Sequence, residues 1–175
     1  MAVMISSTNV EISEILPILK CVTVFSGFSE EQIRNICENC SYVNAEDGDI
    51  ILEEKKPATE IFIILKGKVT IILNIHENPL EIVEFSAGNC IGEASVVGIQ
   101  PHSASAMAKG SATLLVLSRQ VLMHLYDSDK SLFSLLILNI ARELARRLYR
   151  TDGILLHYGK EYHHQIEKEA IHQVV

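Results

Sequence analysis

The chain has 175 residues, of which 48% are hydrophobic and 21% charged, a balance typical of a folded domain rather than a disordered segment. Its formal net charge of −7 disfavours general affinity for nucleic acid, which requires a basic surface. No apolar run approaches the ~20 residues that span a bilayer, and no signal peptide is evident, so we expect a cytoplasmic location without membrane or nucleic-acid partners.

The cysteine and histidine residues do not form a catalytic or metal-binding pattern. Cys37 and Cys40 have the spacing of a redox or metal motif, but no second pair completes a tetrahedral site, which favours core packing on a helix. The strand region contains no His-x-His pair, and no nucleophile–base pair or paired catalytic carboxylates stand out. The sequence therefore predicts neither a metal site nor an enzyme.

The N-terminal segment, residues 1–19, is expected to form a loose arm followed by a helix. Apolar residues recur at helical spacing from Ile12 to Leu19. Ser29 and Gln32 form a capping-box pattern, which predicts a second, short helix near residues 30–40.

Short β-branched runs follow between Tyr42 and Leu117, and they predict strands. Turn signals such as Lys66-Gly67 and Lys109-Gly110 separate these runs, and Gly67 is expected to adopt a positive φ in a turn between two strands. Several short strands at this spacing indicate a sandwich or barrel. The runs cover residues 50–52, 61–65, 69–73, 81–85 and 113–117.

The C-terminal part has helical spacing again. Ser118 is positioned to cap a short helix over 119–126, and Asp129 or Ser128 to cap a long one. The long helix, predicted over 131–160, carries an apolar seam in alternating steps of four and three, which is typical of paired helices and predicts a homodimer through residues 131–158. Residues 161–175 are expected to form a tail. The seam begins with Ile137, Ala141, Leu144 and Leu148.

The stretch from Gly92 to Ala106 has the layout of a phosphate-binding loop. Glycine and small residues let backbone N–H groups approach an anion, an acidic residue follows, and Pro101-His102 stands further along. This order resembles the phosphate-binding cassette of cyclic nucleotide-binding domains, in which Gly-Glu-x-Ala-Leu is followed, after a short gap, by Pro-Arg-Ala-Ala-Thr-Val. The similarity runs from about residue 20 to 150 and is closest to stand-alone bacterial members and to the ligand domain of the catabolite activator family.

The resemblance implies a fold, a ligand and a set of site residues. The fold is mainly β with flanking α: a double-stranded β-helix, or jelly-roll-like β-barrel, over 20–130, with a leading helix and a long C-terminal helix that acts as lid and dimer contact. The ligand is a cyclic nucleotide such as cAMP, cGMP or a cyclic dinucleotide, and Glu93 matches the family residue that binds the ribose 2′-hydroxyl. The implied site residues are Gly92, Glu93, Ala94, Ser95, His102, Ser103 and Ser105.

His102 departs from the family pattern, because it stands where the family has the arginine that pairs with the cyclic phosphate. Imidazole lacks the permanently charged fork of arginine and is mostly neutral at pH 7. Losing one side of a buried charge pair costs about 2–5 kcal/mol, which weakens affinity by roughly 30-fold to several thousandfold. Three interpretations remain open: a vestigial pocket, weak binding assisted by another cation, or a different anionic ligand.

The function predicted from these features is that of a regulatory, ligand-sensing module with an unidentified protein partner. The alternative is a ligand-free dimeric interaction or scaffold protein that keeps the fold but not the binding. The catabolite activator family carries a helix-turn-helix domain after its long helix. Too few residues follow the long helix here for such a domain, so direct control of transcription is not expected.

Overall fold

The computed structural model describes the backbone of residues 11–172 and the side chains of residues 11–157. The chain forms two compact units, Met1–Ile140 and Ala141–Val175. The helices are α1 (Ile12–Cys21), α2 (Glu30–Cys37), α3 (Glu93–Gly98), α4 (Arg119–Ser128) and α5 (Lys130–His172), with a 3-10 turn at Thr23–Phe25. The strands are β1 (Ser41–Ala45), β2 (Ile50–Leu52), β3 (Glu60–Leu73), β4 (Leu80–Ser86), β5 (Cys90–Ile91) and β6 (Ser105–Ser118).

Two long strands organise the sheet. β6 pairs with β1, β2 and β3, and β3 also pairs with β4 and β5, all antiparallel. The predicted class, a mainly β, jelly-roll-like fold with flanking helices, is confirmed. The cassette connects β5 to β6, so both of its ends are fixed by strands that pair with β3.

Two predicted turns are instead bends inside continuous strands. Gly67 has the expected positive φ of 84°, but it lies within β3, where the register with β6 shifts on both sides of Lys66. Gly110, with φ of 72°, lies within β6, and its N–H donates to Asp47 Oδ1 over 2.6 Å. The residues at these bends are typical of turns, but pairing with neighbouring strands continues on both sides of each glycine. The chain therefore bends at these points and does not reverse.

The core lies between the strands and beneath the N-terminal helices. Phe62 and Ile64 of β3 belong to a buried cluster with residues of β1, β2, β5 and β6. Ile61, Ile63 and Leu65 alternate with them and are also buried, so both faces of this part of β3 are covered. Contact between α1 and β3 accounts for part of that second layer.

The predicted helix caps are present. Ser29 Oγ accepts a hydrogen bond from Gln32 N at 3.2 Å, and Ser29 N donates to Gln32 Oε1 at 2.8 Å, which completes the capping box of α2. Ser118 Oγ accepts from Val121 N at 3.3 Å at the start of α4. For α5 the cap is Asp129, whose Oδ1 accepts from Leu132 N at 2.9 Å.

The first part of α5, up to Ile140, packs into the first unit. Leu132, Leu136 and Ile140 are buried, and the amide of Asn139 donates to Val24 O at 3.2 Å and to Ser26 O at 2.8 Å. This amide fixes the long helix to the turn that follows α1. In the sequence, Asn139 is simply a polar residue within a mainly apolar run.

The second unit is the continuation of α5, which extends to His172 and so includes most of the predicted tail. Within it, the Glu143 carboxylate accepts hydrogen bonds from Arg146 and Arg147, three and four residues later. Such pairs stabilise a helix at this spacing. None of the helices in the described part of the chain has the length and apolar character needed to cross a membrane.

Candidate functional site

Gly92 opens the cassette in a position that only glycine suits. Its φ is 84°, in the left-handed region, where it forms the N-cap of α3. A Cβ on this residue would lie 2.9 Å from Glu60 O, 3.5 Å from Leu52 Cδ2 and 3.6 Å from His102 Cε1. The first distance is too short for a real Cβ, so the absence of a side chain allows the cassette to approach the backbone of β3, while the other two distances are ordinary contacts.

The two ionisable residues of the cassette are both buried. Glu93 is 2% exposed and His102 is 8% exposed. An acidic residue that served only the dipole of α3 would lie at the surface, where its charge is hydrated. The burial of Glu93 instead indicates a role in the interior of the domain.

His102 is held by its backbone, while its ring faces a hollow. Lys55 N donates to His102 O at 2.8 Å, and His102 N donates to Lys56 O at 3.0 Å. The ring makes no hydrogen bond with any residue in the described part of the chain. Burial lowers the pKa of His102 below 6.5, so the imidazole is neutral at pH 7.

The hollow beside His102 has a volume of about 190 Å³ and combines apolar and charged walls. Burial raises the pKa of the Glu60 carboxyl, whereas Glu53 lies 3.0 Å from His76 Nε2. Lys56 contributes a cationic side chain, and it has no ion pair within the described residues. The lining residues are Ile51, Leu52, Glu53, Lys56, Pro57, Thr59, Glu60, Phe62 and His102.

The other predicted site residues lie outside this hollow. Ser105 is fully buried, and its Oγ accepts a hydrogen bond from Glu54 N at 3.0 Å, so it fixes the segment between β2 and β3. Ser95 is buried in α3, whereas Ala94 and Ser103 are exposed. Of the predicted site residues, His102 alone lines this hollow; Gly92 and the buried Glu93 do not line it, and Ala94 and Ser103 lie at the surface.

Sequence reasoning missed the residues that surround His102 from the other side of the hollow. Lys56 and Glu60 come from the segment that links β2 to β3, more than thirty positions before the cassette. The only available signal was Lys55-Lys56-Pro57, a basic pair followed by a proline. Such a pattern is typical of a turn and does not by itself indicate an anion site.

Metal and thiol chemistry find no support in the described residues. Within residues 11–157, His, Cys, Asp and Glu side chains form no group of three or more that could hold a metal ion. Cys37 is buried, and burial raises its pKa to about 12, while the pKa of Cys40 is raised for the same reason. Both thiols are therefore protonated, and the buried Cys37 packs in the core as expected.

The predicted dimer seam on α5 is only partly covered within the chain. Ile137 and Leu144 are half-buried, Ala141 is exposed and Leu148 is 63% exposed. Apolar side chains continue beyond the seam to Leu155, which is also exposed. Pairing of two helices through these residues remains a prediction.

The fold and the cassette are typical of ligand-binding regulatory domains, and comparison with known families indicates the same class of protein. The family model for the cyclic nucleotide-binding domain matches residues 42–129. The chain belongs to this family, whose members are regulatory domains that bind cyclic nucleotides such as cAMP. The match begins in β1 and ends just after α4, so it includes the whole cassette.

Solved structures are similar over most of the chain. A cyclic nucleotide-binding domain from Methylobacillus flagellatus KT is 29% identical, with a TM-score of 0.71, and the alignment covers 79% of each chain. The catabolite activator protein of Thermus thermophilus is 24% identical (TM-score 0.67), with 76% of this chain and 61% of that chain covered. The regulatory domain of Toxoplasma gondii PKA, solved with cAMP, is 20% identical (TM-score 0.62), with 75% and 50% covered. The last two likenesses show the fold alone.

Proposed function

We propose that this chain is a regulatory module that senses a cyclic nucleotide, with affinity reduced by the histidine at position 102. The observation that supports this most directly is the burial of both Glu93 and His102 in the cassette, with His102 lining a hollow. A hollow lined by a polar side chain of the cassette is the kind of site that a ligand occupies. A sensing role needs such a site.

The expected ligands are cAMP, cGMP or a cyclic dinucleotide. Glu93 accepts a sugar hydroxyl in this proposal, and His102 donates a single N–H to the cyclic phosphate. A neutral imidazole gives up the charge and the second hydrogen bond of a guanidinium, so we expect affinity roughly 30-fold or more below that of an arginine-bearing site. The module binds and signals without catalysing a reaction.

Signalling through the long helix completes the proposal. Ligand shifts the population between two positions of α5, which requires different affinities for those two positions. The helix pairs two copies of the chain and thereby presents a changed surface to a protein partner in the cytoplasm. Neither nucleic acid nor a membrane takes part.

Replacing His102 with arginine tests the binding site. His102→Arg restores the family cation, and we expect millimolar cAMP or cGMP to raise the melting temperature more in this variant than in the wild type. Ser103→Arg is the matched control, because it adds the same charge at an exposed neighbouring position. If neither wild type nor His102→Arg gains stability with any of the nucleotides, the ligand-free scaffold is the better interpretation.

A separate experiment tests the dimer. Leu148→Glu places a charge in the seam, whereas Tyr149→Glu places it one residue away on a side chain that is 82% exposed. We expect sedimentation to show a dimer for the wild type and for Tyr149→Glu, and a monomer for Leu148→Glu. A monomeric wild type would contradict the pairing without affecting the binding proposal.

A further inference from the structure

We propose that Lys56 supplies the cation of an anion site that it shares with His102, in place of the arginine that the cassette lacks. This inference rests on the proposed function and deepens it, because it assigns the phosphate subsite to a residue outside the cassette. The chemistry recognised is a phosphate group, either the phosphodiester of a cyclic nucleotide or free inorganic phosphate.

The backbone holds Lys56 and His102 at the same wall. The two hydrogen bonds between the segment Lys55–Lys56 and His102, at 2.8 and 3.0 Å, run in opposite directions, as in a short antiparallel bridge. The side chains of Lys56 and His102 then line one hollow of about 190 Å³. This volume is several times the ~30 Å³ that one water molecule occupies in the liquid, so a phosphate group fits.

Both polar groups lack a partner within the described residues. The His102 side chain is buried, 8% exposed, and its ring makes no hydrogen bond there. Lys56 is exposed, and it forms no ion pair there. The imidazole borders the hollow without a partner in the protein, so a ligand oxygen there could accept its N–H.

The two glutamates that line the hollow, Glu53 and Glu60, repel an anion less strongly than two free carboxylates would. Glu53 already lies 3.0 Å from His76 Nε2. Burial raises the pKa of the Glu60 carboxyl, so this group takes up a proton more readily than an exposed glutamate when negative charge approaches. Lys56 is the one lining residue of this hollow with a permanent positive charge.

Lys55 provides the matched comparison. Its Nζ lies 3.7 Å from Glu54 Oε1, and its side chain borders a different, smaller hollow beside His76. Lys55 and Lys56 therefore carry the same charge at neighbouring positions but face different surroundings. Replacement of either lysine by glutamine keeps most of the aliphatic stem and changes the net charge equally.

The experiment titrates wild type, Lys56→Gln and Lys55→Gln with cAMP, cGMP and inorganic phosphate at constant ionic strength, while NMR follows the His102 ring. We expect Lys56→Gln to weaken binding about tenfold or more, the usual effect of losing a charge-assisted hydrogen bond, and Lys55→Gln to stay close to wild type. Equal losses in both variants, or no loss in Lys56→Gln, would overturn the inference. Absence of any anion effect on the His102 ring in wild type would overturn it as well.

The same titrations separate this inference from the proposed function. If inorganic phosphate binds and depends on Lys56, while no cyclic nucleotide binds to wild type or to His102→Arg, the anion site is supported and the nucleotide-sensing proposal fails. If a cyclic nucleotide binds equally well with and without Lys56, nucleotide sensing is supported and the role of Lys56 is refuted.

Discussion

Asn139 allows the attachment of the long helix to be measured as a free energy. Its side chain is 2% exposed and donates to Val24 O and Ser26 O. Asn139→Ala removes both hydrogen bonds, each of which contributes about 0.5–1.5 kcal/mol, and leaves the carbonyl of the buried Val24 without this donor, which adds about 1–3 kcal/mol. We expect the free energy of unfolding to fall by about 2–6 kcal/mol. For a chain of this size, that lowers the melting temperature by about 4–24 °C.

The assay is urea unfolding followed by circular dichroism, with two further variants. Ser134→Ala removes a hydroxyl on the same helix that bonds only to Lys130 O, at 2.7 Å, so the change should stay within about 0.5 kcal/mol. Asn139→Asp keeps the size of the side chain but turns a carboxylate toward two carbonyl oxygens, so it should destabilise at least as much as alanine at neutral pH. A loss below about 0.5 kcal/mol for Asn139→Ala would refute the reasoning, because one buried and one partly buried hydrogen bond together should contribute more than that.

Three further predictions concern the barrel and the site. Gly67→Ala should destabilise the protein by several kcal/mol more than Gly48→Ala. Both residues have a positive φ, but of the two only Gly67 would place a Cβ 2.2 Å from a backbone oxygen. Thermal unfolding of the two variants measures the difference. Hydrogen bonds from Lys68 and Lys109 lower the pKa of Glu84. Its contribution to stability is therefore present above the unfolded pKa near 4.3 and is lost as the pH falls through the folded pKa. Glu84→Gln should therefore reduce the loss of stability between about pH 5 and pH 3 in denaturant titrations, and an unchanged profile would contradict the assignment. Burial of His102 favours its neutral form, so an NMR titration should give a pKa for the ring below 6.5 in the native state and near 6.5 in urea. Because the unfolded state takes up the proton first, the free energy of unfolding should fall as the pH drops below 6.5.

The helix caps and the cassette could be predicted from local sequence patterns, because these features depend on residues that are close in the chain. Ser29 and Gln32 form their capping box as the spacing predicted. Gly92 needed a close backbone approach, which its setting between a strand and a short helix suggested. These inferences use only the chemistry of a few consecutive residues.

Features that depend on pairing across the sheet were not accessible from the sequence. Gly67 and Gly110 carry the signature of a turn in either setting, and only the opposing strand decides whether the chain reverses or merely bends. The two acceptors of Asn139 and the approach of Lys56 to His102 join residues far apart in the chain. Without coordinates, nothing distinguishes such residues from ordinary polar positions.

The pairing of β6 with three other strands has a consequence for how this family diversifies. His102 lies three residues before β6 and takes no part in those ladders, so strand pairing and the proposed ligand contact involve separate groups. We therefore expect an exchange between histidine and arginine at this position to change the chemistry of the pocket while the strand pairing persists. A domain built in this way can change what it responds to without a change of fold.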